Sequence, residues 1–487
     1  MTLNRAAGGA IVLFFCVMNV LLLERQLAAP PPPITLAAAG AITEPMDEWW
    51  GVYFHGEKIG YSSQKITPEP GGYNVKSASV LRLNILETTQ TVASRLEMSA
   101  DGQWAMKRFD FELDSNNVRF GARGAFAAGK LSLVVDSGGH RTESEIAIRQ
   151  PPYLLAALKP YIVTQDLEPG KEHIFPTFDP ATLSQQLTSV TIEGRERIRI
   201  GGRMEPAIRL RQQFRGISVL SWVDGSGRTL KEESPTGLSL VRQTAEEAAT
   251  VPGAKSLSLD LLAETSVAVA TPIADPGRKE FLRLRLSGFE LGRFPLDGGR
   301  QRLFDDVLEI KREPLNGGRS YRLPVNAERF ASYLQPTPFV QSDHPQIRAL
   351  AREIVGAETD PVKASGRIKD WVYRGLAKEP TVSIPNALEV LRTRKGDCNE
   401  HAVLFSALAR AAGIPAKTAV GVVYLKGAFY YHAWSEVWLG EWVSLDPVLN
   451  QFPADVTHVK FLEGDIDRQV DILQLIGNLK IQVLEAS

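Results

Sequence analysis

The chain has 487 residues, a net charge of −1, 44% hydrophobic and 23% charged residues. That length is too great for one typical core and predicts two to four domains of ordinary globular composition. The near-zero charge, with no basic cluster interleaved with aromatics, excludes a nucleic-acid partner and gives no reason to expect an anionic membrane surface.

Arg5 precedes an apolar run over residues 6–23, broken only by Asn19 and closed by Glu24 and Arg25. The run is near the minimum for a membrane span and longer than most signal-peptide cores. An uncleaved signal anchor over 1–25 is expected; a cleaved signal peptide, with Leu27-Ala28-Ala29 as a weak cleavage candidate, is the alternative. Either way the body is exported, to the periplasmic or cell-surface side of a membrane. Residues 26–46 carry the proline run 30–33 and Ala-rich sequence, and read as an extended linker. Of the two cysteines, Cys16 lies in the apolar run, so Cys398 is the sole thiol of the exported part. A lone thiol in an oxidising compartment is a liability unless it does chemistry; a buried, inert Cys is the bland alternative.

Residues 47–250 read as a β-rich domain. The stretch 51–61 is two strands around a His55-Gly56 turn, and Phe109-Asp110-Phe111-Glu112-Leu113 alternates apolar and polar, as does 195–200. Asp101-Gly102 and Asp224-Gly225-Ser226-Gly227 are turn signals. A short helix is expected within 151–160 and another at 244–249. A smaller β-rich domain is expected over 260–326, with Phe281-Leu282-Arg283-Leu284-Arg285-Leu286 as a strand of period two. From 327 to 487 helical spacing takes over. Ile347, Leu350, Ala351, Ile354 and Val355 mark one amphipathic helix, Ile368, Trp371, Val372 and Leu376 a second, and Ala387, Val390 and Leu391 a short third.

Asp397 is a good N-cap, with Glu400 at capping-box spacing, so Cys398 takes the first position of a helix that Gly413 and Pro415 end. The positive end of the macrodipole favours thiolate there, and the free N–H groups of that turn can face an oxyanion. Strands then follow at 416–425, 429–438 and 442–446. His432, Trp434 and Glu436 share a face, and Asp446 falls opposite or one diagonal step from His432. A carboxylate there can fix the imidazole tautomer, and the imidazole can take the thiol proton and return it to a leaving group. A zinc site from Cys398, His401, His432 and Asp446 is a competing arrangement, although the Cys398-to-His401 spacing lacks a matching second pair.

Gly396-Asp397-Cys398-Asn399-Glu400-His401-Ala402, with Leu408-Ala409-Arg410-Ala411-Ala412-Gly413-Ile414-Pro415-Ala416 behind it, resembles the core of the transglutaminase-like superfamily. Tyr431-His432-Ala433-Trp434-Ser435-Glu436-Val437 and Trp442-Val443-Ser444-Leu445-Asp446-Pro447 are similar to its second and third motifs. The resemblance spans about residues 340–460. It implies an α+β fold: a C-terminal papain-like core, preceded here by two antiparallel β-rich domains and the N-terminal membrane segment. It implies Cys398 as nucleophile, His432 as base and Asp446 as orienting group, with no cofactor and no metal. Trp371 is a possible neighbour of the cleft. The upstream β-region resembles the one that precedes this core in exported bacterial members. The implied activity is that of a cysteine hydrolase, peptidase or acyltransferase on protein or peptide amides. The rival is a silent scaffold that holds an envelope protein, with a sealed cleft or one filled by Trp434 and Trp438.

Overall fold

The computed structural model describes residues 42–487, apart from 86–87, 116–117, 138, 149, 154, 165–168, 252–263, 316–320 and 326–327. The apolar run at 6–23 and most of the linker lie outside the described residues. Among those described, no helix is long and apolar enough to cross a membrane. The chain is mostly β, with 50% strand and 20% helix, and its helices gather toward the C-terminus.

Alternating apolar residues build one large antiparallel sheet of fourteen strands, from β1 (Met46–Phe54) to β14 (Leu238–Arg242). Its order runs from β8 (His140–Ala147) back to β1, then from β14 back to β9 (Glu172–Asp179), so β8 and β9 are the edges. The β1 hairpin closes through His55 (φ 48°) and Gly56 (φ 86°), the two positive dihedrals that a tight hairpin turn needs. Phe109 and Phe111 point inward from their strand to meet Phe120, Leu131, Leu133 and Val135, while Glu112 stays exposed. Helix α1 (Leu155–Thr164) follows β8, and α2 (Ala245–Ala249) follows β14, closed by a Thr244–Glu247 capping box. The second falls where the sequence puts it, whereas the first starts later than 151 and runs past Pro160.

The segment 260–326 contributes β15 (Val267–Ala268), β16 (Phe281–Ser287), β17 (Gln301–Phe304) and β18 (Val307–Lys311). These strands pair with the C-terminal part: β15 adds to the edge of the site's sheet, and β16 pairs with the last strand of the chain. After them come α3 (Ala331–Leu334), α4 (Pro345–Val355), α5 (Pro361–Gly375), β19 (Ala377–Lys378), α6 (Ala387–Thr393), β20 (Lys395–Gly396) and α7 (Cys398–Ala411). The chain ends in β21 (Ala416–Leu425), β22 (Ala428–Trp438), β23 (Trp442–Leu445), β24 (Val459–Glu463) and β25 (Lys480–Ala486). The site's sheet has the order β15-β22-β21-β24 with β23 on β22, and β17-β18-β16-β25 is a separate four-stranded sheet.

Two cores hold this part. Leu282, Leu284, Leu286, Leu308 and Ile310 pack with Val420, Val422, Phe429, Ala433 and Phe461, joining the two sheets. On the helical side, Ile347, Ile368, Val372, Val390, Leu404, Phe405 and Leu408 pack with Val437 and Leu445. A polar clamp ties the sheets together. Arg300 and Glu313, both nearly inaccessible, form a 2.9 Å ion pair. The Arg300 guanidinium also donates to the carbonyls of Ala454 (2.7 Å), Asp455 (3.0 Å) and His458 (2.7 Å). Glu313 Oε1 accepts from the Ser444 N–H at 3.0 Å and its hydroxyl at 2.7 Å. Both terminal nitrogens of Arg300 and both oxygens of Glu313 are therefore engaged, as a buried pair requires. Arg300→Met is expected to destabilise this part by about 3–5 kcal/mol, since it strands a buried carboxylate. A fall in urea midpoint measures it, and an Arg300→Met/Glu313→Leu double variant should lose less than the two single changes summed.

Candidate active site

Asp397 caps α7 as its sequence predicts, accepting the Asn399 N–H at 3.0 Å, while Glu400 Oε2 accepts the Asp397 N–H at 3.0 Å. Gly396 (φ 154°) makes room for this box, because a Cβ there would lie 2.3 Å from Glu400 Cβ. Glu400 is buried, and its Oε1 accepts the Ser383 hydroxyl at 2.6 Å. Burial and the neighbouring Asp397 push the Glu400 carboxyl well above its usual range. The loop that carries Ser383 is in turn held by the large sheet: Gln90, buried on β4 (Thr88–Asp101), donates to the Pro380 carbonyl and accepts the Val382 N–H. A chain of hydrogen bonds thus runs from the N-terminal sheet to the start of the helix that carries Cys398.

Cys398 occupies the first position of α7 and keeps partial solvent exposure. The Ala433 N–H of β22 reaches its sulfur, which sets the thiol beside the residue next to His432. Burial pushes the thiol well above its ordinary value, Asp397, Glu400 and Asp446 add to this, and only the Ala433 N–H pulls it down. These influences act against the thiolate that the helix start favours. Because the thiol is only part-buried, the three carboxylates support that direction alongside desolvation.

His432 lies on β22 opposite Gly421 of β21. Its Nε2–H donates to Asp446 Oδ2 at 2.6 Å, which leaves Nδ1 as the nitrogen not engaged by Asp446. Ser435 pairs with Leu445 across β22 and β23, so Asp446 follows one step on and meets His432 along the diagonal. Its other oxygen, Oδ1, accepts the N–H groups of Val448 (2.6 Å) and Leu449 (2.8 Å). Burial alone would push Asp446 up; the charge and hydrogen bonds of His432 and His458 more than reverse this and hold it well below the usual carboxylate range.

His458 was not singled out by sequence. It is fully buried in the loop before β24, and its Nε2 lies 3.0 Å from the same Asp446 Oδ2. Its Nδ1 lies 3.3 Å from Asp455 Oδ1. The Asp455-Val456-Thr457-His458 turn ahead of an apolar strand was its only sequence signal. Ligand atoms of His432, Asp446 and His458 lie within 4.8 Å of one another. Their mutual hydrogen bonds already use these atoms, so the set closes on itself without a cation. The zinc arrangement expected from Cys398, His401, His432 and Asp446 does not assemble. His401 Nδ1 is bonded to the Asp397 carbonyl at 2.6 Å, and among the described residues neither His401 nor Cys398 joins the cluster.

Of the three tryptophans weighed for the cleft, Trp434 is the one that lies against His432. Trp371 packs under the Arg394 guanidinium, 4.5 Å from its ring centre, and lines a cleft with Glu353, Arg367 and Arg374. Trp438 packs on Phe330 and Trp442. Trp434 is buried in near-parallel contact with His432 and edge-on to His458. Its Nε1–H, like the Tyr431 hydroxyl, is buried without a hydrogen-bond partner.

The model of the transglutaminase-like superfamily matches residues 348–447. An uncharacterized protein of Haemophilus influenzae is 29% identical over 211 residues, which are 35% of this chain and 55% of that protein. The chain thus spans about half the length of this relative. Among solved structures, a candidate cysteine protease from Cytophaga hutchinsonii is 18% identical, over 42% of this chain and 83% of its own, at a TM-score of 0.29. A β-barrel-like protein of a domain of unknown function from Brucella abortus is 10% identical, over 41% of this chain and 96% of its own, at 0.33. A candidate protease from Parabacteroides distasonis is 12% identical, over 76% of this chain and 67% of its own, at 0.21. TM-scores this low carry nothing about chemistry, so the assignment rests on the family match. Residues 348–447, which include Cys398, His432 and Asp446, form a transglutaminase-like domain.

Proposed function

We propose that the protein is an exported, cysteine-dependent amide hydrolase or acyltransferase acting on protein or peptide substrates, with Cys398, His432 and Asp446 as its catalytic triad. The observation that carries this reading is the 2.6 Å bond from His432 Nε2 to a buried Asp446, with the thiol at the helix start on the neighbouring Ala433. In this reading the core is papain-like, residues 47–250 and 260–326 are β-rich accessory units, and the segment before them anchors the body to a membrane.

His432 Nδ1 takes the proton from the Cys398 sulfur as the sulfur attacks the substrate carbonyl carbon. The C–O π electrons move to oxygen, where the Cys398 N–H at the start of α7 can receive the charge, the next two N–H groups being held by the Asp397 cap. As the oxyanion collapses, the C–N bond breaks, and His432 gives its proton to the leaving amine. A thioester remains on Cys398. Water, deprotonated by His432, releases an acid; an amine in its place releases a new amide. In both cases the thiol recovers its proton. Asp446 holds the imidazole tautomer and stabilises its charged form throughout, without taking the proton itself.

The test is labelling by a peptide amide mimic that bears an electrophile. Wild type should label on Cys398 and Cys398→Ala should not. His432→Ala should label slower by about 10²–10⁴, and Asp446→Asn by roughly 10²–10⁴ through the wrong tautomer. Labelling as slow as a simple thiol, and indifferent to His432, would leave the scaffold reading instead. Hydroxylamine added during turnover of a peptide substrate separates the outcomes, since a hydroxamate product marks acyl transfer.

The raised thiol sets a second expectation. With iodoacetamide, which carries none of the peptide contacts, Cys398 should react slowly at neutral pH and faster as pH rises past the ordinary thiol range. The sign follows from the carboxylates: they disfavour the thiolate, so more base is needed to form it. A flat rate from pH 5 to 8 would mean a preformed thiolate and contradict this.

A further inference from the structure

Asp446 meets two imidazoles, and the scheme above uses only one. His458 is fully buried, and each of its ring nitrogens faces a carboxylate: Nε2 on Asp446 Oδ2 at 3.0 Å and Nδ1 on Asp455 Oδ1 at 3.3 Å. Carboxylates only accept. A neutral imidazole has a single N–H, so it would set a lone pair against one of these buried anions; an imidazolium satisfies both. Asp455 has little freedom to turn away. The Thr457 N–H (2.9 Å) and hydroxyl (2.6 Å) hold Oδ1, and Gln451 Nε2 holds Oδ2 at 2.8 Å.

The other charged and titratable groups around the ring fit this state. His432, on β22, stands 5.7 Å away between ring centres and shares Asp446. Arg300, beside β17, binds the backbone carbonyls of the His458 loop and is paired with Glu313. Burial pushes His458 down, and Asp446 and Asp455 carry it above its ordinary value. A positive His458 also matters at the nucleophile. Asp446 is one of the groups that push the Cys398 thiol up, and a cation on the far side of that carboxylate offsets its charge.

Resting on the cysteine acyl-transfer reading, we propose that His458 is a positioning residue. It stays protonated between Asp446 and Asp455, fixes the Asp446 carboxylate toward His432 and compensates its charge as felt at Cys398. His458 lies beyond the 348–447 match, in the loop braced by Arg300.

Two measurements on the full chain test this. In the protein labelled with ¹⁵N-histidine, one of the seven imidazoles should carry protons on both nitrogens at pH 7.5, and its signals should vanish in His458→Gln. A His458 with a single N–H at that pH overturns the proposal. The second readout is the pH profile of Cys398 alkylation by iodoacetamide. His458→Gln keeps an amide donor for Asp446 but removes the positive charge. The rising limb should therefore move to higher pH by about one unit, a roughly tenfold slower rate at fixed pH on that limb. An unmoved limb in a folded variant overturns the charge role. If His458→Gln does not fold, the wild-type imidazole spectrum decides alone, with assignment by Asp455→Asn. Peptide-probe labelling indifferent to His432→Ala would sink the triad reading, whereas a singly protonated His458 sinks only this proposal.

Discussion

The site depends on burying one carboxylate without leaving any part of it unsatisfied. Asp446 is inaccessible to solvent and accepts four hydrogen bonds, two from backbone N–H groups on Oδ1 and two from imidazoles on Oδ2. That matches the roughly four acceptor positions of a carboxylate. An ion buried in this way is tolerated only where geometry and partners are both right. Much of the surrounding architecture can be read as meeting that demand. β23 presents the residue, the turn after Pro447 supplies the two N–H groups, and β22 supplies His432. The loop ahead of β24 supplies His458, and Arg300 and Glu313 brace that loop and β23 from the adjoining sheet.

The thiol shows a different balance. A helix N-terminus contributes a partial positive charge worth about 0.3–1 kcal/mol at exposed positions. Burial, with Asp397, Glu400 and Asp446, pushes the thiol the other way. Glu400 completes the capping box over Asp397, and burial with Asp397 pushes its carboxyl well above the usual range.

What sequence made legible here was local. The capping box, the helix it starts, the Gly413 stop and the three strands after it follow from residue spacing, because each is decided within a turn or a hairpin. The diagonal approach of Asp446 to His432 was legible too, since strand pairing fixes it to within one step. At Cys398 the opposing influences are partly local, since Asp397 and Glu400 flank it in sequence and only Asp446 and the burial come from elsewhere. The other misses depend on contacts distant along the chain. Trp371 belongs to an amphipathic stripe, but only the fold puts Arg394 over its ring. His458 went unremarked because Asp446 reaches it only through the loop between β23 and β24.

The pairing of β16 with β25 explains why the site draws on so much chain. Leu282, Leu284 and Leu286 alternate cleanly and would form a strand in many settings, yet a short sheet of that size needs a partner and a covered face. It finds its edge partner in the last strand of the chain and its cover in Val420, Val422 and Phe429. Once docked there, the turn before β17 points Arg300 at three carbonyls of the His458 loop, and the stretch after β18 brings Glu313 to Ser444. The matched segment 348–447 carries Cys398, His432 and Asp446. The strands before it and the strands after it supply the rigidity on which an orienting carboxylate depends, since a loosened Asp446 would no longer select one imidazole tautomer.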